Sequence, residues 1–78
     1  MIVRSQNTHI AIRKEQINKT EIQKKDNECW IIVGVLKNNS VLTLARYPSE
    51  KEALAADNGM WLSEDQLYTY PIFPGGNL

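Results

Sequence analysis

The stretch that decides the fold runs from Cys29 to Tyr47 and reads CWIIVGVLK-NNS-VLTLARY. It is the longest apolar run of the chain, and Asn38-Asn39 divides it into two segments of strand length. Val, Ile, Thr and aromatic side chains favour a pleated sheet. Asparagine tolerates the left-handed backbone of a tight turn. The stretch therefore predicts a β-hairpin at the centre of a sheet.

A two-residue loop at Asn38-Asn39 fixes which side chains share a face of this hairpin. The predicted mixed face carries Trp30, Ile32, Gly34 and Leu36 opposite Tyr47, Ala45, Thr43 and Val41. The predicted aliphatic face carries Ile31, Val33 and Val35 opposite Arg46, Leu44 and Leu42. We expect the aliphatic face to be the core. The mixed face then needs a second cover from the C-terminal tail, from a partner or from another copy of the chain.

The chain before the hairpin adds three predicted strands. Residues 2–6 and 9–12 are short β-compatible segments, and residues 18–25 place Thr20 and Ile22 on one side with charged neighbours on the other. Together with the hairpin, residues 1–47 predict an antiparallel meander of about five strands.

The periodicity changes after the hairpin. Ser49 and Glu52 have the spacing of a capping box, and an alanine-rich run follows, so we predict a helix over 49–58 that packs on the sheet. Asn58-Gly59 is the expected stop, with continuation to Met60-Trp61 as the alternative. A second capping box at 63–66 predicts a further turn of helix, within an aromatic C-terminal extension over 59–78. The fold class is α+β.

Length and composition describe one small domain of 78 residues. The single cysteine excludes an intramolecular disulfide and a metal site of several cysteines. No secretory signal pattern and no apolar run of about 20 residues is present, so we expect a cytoplasmic protein without a membrane span. Eight basic and four acidic side chains give residues 1–46 a charge of +4. One basic and five acidic side chains give residues 47–78 a charge of −4.

No motif specifies a catalytic, cofactor-binding or metal site. His9 has no partner at a ligand spacing, Cys29 has no neighbouring base, and the carboxylates of the capping boxes suit helix N-termini. We therefore expect a protein that is not an enzyme and that has no cofactor.

The aromatic residues are the feature that leans towards function, because such side chains are enriched among interface anchors. The predicted interaction surface consists of Trp30, Ile32, Tyr47, Trp61, Tyr68, Tyr70 and Phe73. Two interpretations stay open, since these side chains either pack the tail onto the sheet or form an intermolecular surface. A nucleic-acid-associated regulator is the alternative function, with a basic set made of Arg4, Arg13, Lys14, Lys24 and Lys25.

Residues 1–7, MIVRSQN, together with residues 45–53, ARYPSEKEA, resemble a group of small proteins of Gram-positive bacteria and their phages. Members of that group begin with a Ser-Gln-Asp-Gly-like turn and later carry a Ser/Thr-Glu segment leading into a helix. Here Asn7-Thr8 stands in place of Asp-Gly, and the tail from Gly59 extends beyond the pattern. The resemblance implies a β-meander followed by one helix, and it implies no site residues. Our leading hypothesis is a small non-enzymatic interaction protein of phage or mobile-element origin that binds a protein partner or forms a homodimer.

Overall fold

Two three-stranded sheets and one α-helix build the part of the protein that the computed structural model describes, residues 1–26 and 29–72. The elements in chain order are β1 (Ile2–Arg4), β2 (Ala11–Arg13), a 3-10 turn (Lys14–Gln16), β3 (Ile17–Asp26), β4 (Cys29–Leu36), β5 (Val41–Tyr47), α1 (Glu50–Leu62) and β6 (Leu67–Thr69). The predicted α+β class is confirmed.

The meander sheet consists of β3, β4 and β5 in that order, and all its neighbours are antiparallel. The terminal sheet has the order β2-β1-β6, with β1 antiparallel to β2 and parallel to β6. The predicted single meander of five strands is therefore wrong. The 3-10 turn interrupts the chain between β2 and β3, and β6 from the tail becomes the second neighbour of β1. Alternation of side chains identifies a strand, but it does not specify which distant strand pairs with it.

The loop of the central hairpin contains three residues and not the predicted two. The Leu36 amide donates to the Ser40 carbonyl at 2.8 Å, and the Asn39 amide donates to the Leu36 carbonyl at 2.9 Å. A two-residue type I′ loop needs positive φ at both central residues, and here Asn39 alone has it, at 72°. The extra loop residue shifts the strand pairing next to the loop by one position.

A β-bulge at Leu44 then restores the predicted register at the far end of the hairpin. Val33 pairs with Thr43, whereas Ile32 pairs with Ala45, which leaves Leu44 as the additional residue of β5. Leu42 and Leu44 consequently belong to the face of Ile32. The predicted faces are correct beside Trp30 and Tyr47, and they are wrong for the half of β5 next to the loop.

The helix covers the mixed face of the hairpin, contrary to our expectation that the aliphatic face is the core. Buried Ala53, Ala56 and Met60 of α1 pack in one cluster with Ile32 and Leu44. Gly34 permits the close fit of Leu44, since a Cβ at this glycine would lie 2.9 Å from the Leu44 Cδ1 atom. The three-residue loop places Leu42 and Leu44 on this face, and the bulge keeps Ala45 and Tyr47 there as well.

Helix α1 starts as predicted and ends later. Ser49 is the N-cap, and its Oγ accepts the Glu52 amide at 3.2 Å. The helix continues to Leu62, beyond the predicted end at residue 58, because Gly59 does not adopt positive φ. This glycine serves close packing instead, since a Cβ there would lie 2.8 Å from the Tyr68 hydroxyl.

The predicted further turn of helix at 63–66 is absent from the structure. Ser63 is the C-cap of α1, and its Oγ accepts the Asp65 amide at 3.2 Å. The Gln66 carbonyl then accepts the Ile2 amide at 2.8 Å, which begins the pairing of β6 with β1. Long-range strand pairing therefore overrides a local helix-start signal.

Thr8 generates a test of backbone strain in the turn that follows β1. Its φ is 65°, a left-handed conformation that costs a β-branched residue about 1–2 kcal/mol. We expect Thr8→Gly to raise the free energy of unfolding by about 0.5–1 kcal/mol, after the greater freedom of glycine in the unfolded chain is subtracted. Urea denaturation followed by circular dichroism measures this change. Asn39→Gly is the matched control with a smaller expected effect, because asparagine tolerates this conformation. A destabilised Thr8→Gly protein would contradict the assignment of strain.

Candidate interaction surface

Three of the seven residues predicted to form an interaction surface lie in the protein core. Ile32 and Tyr47 on the helix side of the meander sheet are 0% and 2% exposed, and Tyr70 after β6 is 1% exposed. All three belong to the main hydrophobic cluster. These three side chains are buried under α1 and the C-terminal tail. Their burial supports the interpretation that they pack the tail onto the sheet, and not that they form an intermolecular surface.

The tail is held against the sheet and helix by tyrosine hydroxyl groups. Tyr47 donates to the Pro71 carbonyl at 2.7 Å, and Tyr68 donates to the Ala56 carbonyl at 2.7 Å. The rings of Tyr68 and Tyr70 meet edge to face, with centroids 5.4 Å apart and planes at 87°. Each of these tyrosine hydroxyl groups thus has a hydrogen-bond partner while its ring packs against apolar neighbours, which is the arrangement expected of buried tyrosine.

The Asp57 carboxylate joins three parts of the structure. It accepts the Tyr70 hydroxyl at 3.0 Å through one oxygen and the Thr20 hydroxyl at 2.7 Å through the other. Thr20 in turn accepts the Trp61 indole N–H at 2.9 Å. Helix α1, strand β3 and the tail segment therefore share one hydrogen-bond network.

Burial raises the pKa of each of the three tyrosine hydroxyls above its ordinary value, and nearby negative charge adds to the effect. For Tyr70 the added charge is foremost the Asp57 carboxylate, which also accepts its hydrogen bond. For Tyr47 the neighbouring Tyr68 contributes after burial. For Tyr68 burial comes first and Asp57 second. The environment of these side chains therefore favours the protonated, neutral form of each tyrosine hydroxyl group.

Of the predicted surface residues, Trp30 and Tyr68 are half-buried and Trp61 is exposed. Each of the two tryptophans has a lysine over its ring. Lys14 Nζ lies 5.6 Å from the Trp61 ring centroid and donates to the Trp61 carbonyl at 3.1 Å. Lys24 Nζ lies 5.9 Å from the Trp30 ring centroid. The seventh predicted residue, Phe73, lies outside the described residues. The predicted surface thus divides into buried packing residues and tryptophans at the margin.

The open face of the meander sheet, opposite α1, presents the apolar column Ile31, Val33 and Val35 of β4. On one side of this column lie the β3 residues Lys19, Glu21 and Gln23. On the other side lie the β5 residues Val41, Thr43 and Arg46. The two ends of the column are half-buried and its central valine is buried between these neighbours. None of the column residues belongs to the described hydrophobic cluster or is among the side chains that pack against it, and α1 lies on the other face.

Sequence reasoning assigned this column to the core and thereby missed it as a surface. The error follows from the assumed two-residue loop, which placed Leu42 and Leu44 on the side of Val33. Asn39 at the third position of a Lys37-Asn38-Asn39 loop is the signal that would have found it. A three-residue loop commonly ends in a left-handed residue of this kind.

Cys29 and His9, which the sequence offers as possible catalytic or metal-binding residues, lie in a strand and in a turn. Cys29 is buried at the start of β4, and His9 is exposed in the turn before β2. Within residues 1–26 and 29–72, no group of three or more His, Cys, Asp and Glu side chains is arranged to hold a metal ion.

The basic set of the alternative function is spread over the molecule. Arg13 lines an open groove of about 320 Å³ beside Leu36, at the loop end of β4. Lys24 pairs with Trp30 at the opposite end of that strand. Six residue steps of about 3.3 Å separate the two ends, so Arg13 and Lys24 lie about 20 Å apart along the sheet and form no common patch.

Comparison of the chain with protein-family models, with curated proteins and with solved structures gave no match. Among the described helices none is both long enough and apolar enough to cross a membrane.

The Asp57 network predicts a large effect from a single side chain. We expect Asp57→Ala to lower the free energy of unfolding by about 3 kcal/mol, because two hydrogen bonds to a charged acceptor are lost. Chemical denaturation measures the change. Asn58→Ala on the exposed neighbouring position is the control, with an expected effect within about 0.5 kcal/mol. Equal effects of the two substitutions would show that the network contributes little.

The raised tyrosine pKa values predict a loss of stability in alkali. Above pH 10 the unfolded chain releases tyrosine protons that the native protein retains, so the free energy of unfolding falls as the pH rises. The expected slope is up to about 1.4 kcal/mol per pH unit for each tyrosine. Ultraviolet absorbance should show tyrosinate appearing together with unfolding. Tyr68→Phe should reduce by one the number of protons released on unfolding, and the slope should fall accordingly. Tyrosinate at pH 10 in a protein with native circular dichroism would contradict the prediction.

Proposed function

We propose that the protein is a small non-enzymatic interaction module that binds a protein surface through the open face of its meander sheet. The observation that carries this proposal is the apolar column Ile31, Val33 and Val35, which lies on the face opposite α1 and outside the described hydrophobic cluster. An antiparallel sheet with one face in water usually alternates apolar residues inside with polar residues outside. Strand β4 departs from that alternation, because it has aliphatic side chains on both faces.

The exposed end of this surface adds to the apolar area. Val41 is 61% exposed and pairs with Val35, so the column broadens onto β5 at the loop end of the hairpin. Burial of apolar surface contributes about 25 cal/mol per Å². A partner that covers the face thus gains binding energy chiefly from Val41 and from the half-buried Ile31 and Val35.

The edge of the sheet is a poorer contact than its face. Strand β3 has an open edge, but Lys19, Lys24 and Lys25 lie along it and pairing irregularities occur near both of its ends. Lysines and bulges are the usual devices that prevent edge-to-edge pairing. We therefore assign binding to the face and not to strand addition.

The setting of this function is a further part of the proposal. The resemblance of residues 1–7 and 45–53 supports an origin in a Gram-positive bacterium or its phage. The single cysteine, which is buried as a thiol, suits the cytoplasm.

The alternative of a nucleic-acid-associated regulator has less support. Of its basic side chains, Arg13 and Lys24 lie near opposite ends of β4. Lys14 and Lys24 lie over tryptophan rings. Salt-dependent binding of DNA or RNA at about 50 mM salt would favour it.

Site-specific photocrosslinking tests the proposed surface. With p-benzoylphenylalanine in place of Thr43, in the central row of the open face, we expect crosslinked protein adducts in the purified sample or in a lysate. The same amino acid in place of Lys51, on the exposed first turn of α1, is the matched control and should give several-fold less. Val35→Lys should abolish the adducts at position 43, because a charge then lies in the apolar column. Equal yields at the two positions would contradict the proposal.

A further inference from the structure

We infer that the occupant of the open face is a second copy of this chain, packed face to face about a two-fold axis that runs parallel to the strands. This inference rests on the proposed function and names its partner. Three rows of side chains cross the open face, and each row contains one residue from β3, one from β4 and one from β5. The rows are Gln23-Ile31-Arg46, Glu21-Val33-Thr43 and Lys19-Val35-Val41.

A two-fold axis parallel to the strands keeps each row level and exchanges left and right. Strand β4 then lies over β4 of the second copy, so the apolar columns meet along their whole length. Strand β3 lies over β5 of the second copy. Packed sheets usually keep their strand directions within about 30° of each other, which this arrangement satisfies.

The exchange brings complementary side chains together at both margins. Arg46 of each copy faces Gln23 of the other, and Glu21 of the other copy is in the next row. Successive rows are about 7 Å apart, within reach of an arginine side chain. Lys19 of the second copy lies over Val41, whose exposed methyl groups its aliphatic stem covers.

The Glu21 carboxylate is the negative charge of this contact, and its Oε1 atom accepts a hydrogen bond from Gln23 Nε2 at 3.1 Å. Its Oε2 atom lies 2.9 Å from Lys19 Nζ. The hydrogen bond from Lys19 is the main cause that lowers the pKa of this carboxyl group, so it is ionised at neutral pH. Arg46 thus approaches a carboxylate and not a neutral acid.

A two-fold axis perpendicular to the strands gives a poorer contact. It places β3 over β3 and β5 over β5 of the second copy. With the axis at the central row, Glu21 lies over Glu21 and Arg46 lies over Val41. Like charges then oppose each other and the arginine has no acceptor, so charge complementarity selects the axis parallel to the strands.

The size of the face predicts a weak dimer. Three strands about 4.8 Å apart and three rows about 7 Å apart define an area on the order of 300 Å² on each copy. The total of about 600 Å² lies below the roughly 1,200 Å² of a standard stable interface. We therefore expect a dissociation constant between about 10 µM and 1 mM.

Sedimentation equilibrium of the purified full chain, from about 10 µM to 1 mM, tests the inference with a charge swap. Arg46→Glu and Gln23→Arg should each weaken dimerisation at least about tenfold. The introduced arginine lies opposite Arg46 of the other copy, and the introduced glutamate lies one row from Glu21 of the other copy. A mixture of the two single variants should restore it, because the introduced glutamate of one chain then meets the introduced arginine of the other across the heterodimer interface. Lys51→Glu changes the net charge as Arg46→Glu does and should leave dimerisation unchanged.

The restored heterodimer cannot arise from misfolding of either variant, because each variant would carry its folding defect into the mixture. A wild-type chain that stays monomeric at 1 mM would overturn the inference. A dimer whose dissociation constant is unchanged by both substitutions would overturn the inference as well. If position 43 crosslinks a different protein in the lysate while the pure chain is monomeric, the inference fails and the proposed function stands.

Discussion

The packing of Leu44 against Gly34 is the contact on which the arrangement of the two sheet faces depends. Because Leu44 is the additional residue of a bulge, it turns to the same side as Ala45 and enters the cluster beneath α1. Without the bulge, the alternation of β5 would place one of these two side chains on the opposite face. The three-residue loop places Leu42 and Leu44 on the core side, and the bulge keeps Ala45 and Tyr47 there and turns Arg46 to the open face beside Thr43.

The tail completes the core on the side that the bulge defines. Tyr70 reaches Asp57 from beyond β6, and Thr20 reaches the same carboxylate from β3. The short terminal sheet contributes Val3, which is fully buried. Helix, tail and terminal sheet thus all lie against one face of the meander sheet, which is the face opposite the apolar column of β4.

The sequence predicts local features well where one interaction decides them. The Ser49 cap, the two strands of the hairpin and the inward side of Thr20 and Ile22 are all determined by near neighbours, and the structure contains them. The loop length was not predictable with the same certainty, because Asn38-Asn39 suits two different turns. Gly59 looked like a helix stop since its real constraint, contact with Tyr68, comes from a distant residue. The candidate surface was misassigned for the same reason, because one loop residue decides which side of the hairpin faces water.

The parallel pairing of β6 with β1 has a consequence for the order in which the protein folds. The hairpin joins residues close in sequence, whereas the Gln6 side chain bonds the Pro71 carbonyl across a separation of 65 residues. Contacts of such high contact order form slowly, because the loop-closure entropy must be overcome first. During synthesis on the ribosome, β1 is made first and obtains its second neighbour last. The nascent chain therefore exposes Val3 until nearly the whole sequence has been translated, although the meander sheet is already complete in the chain.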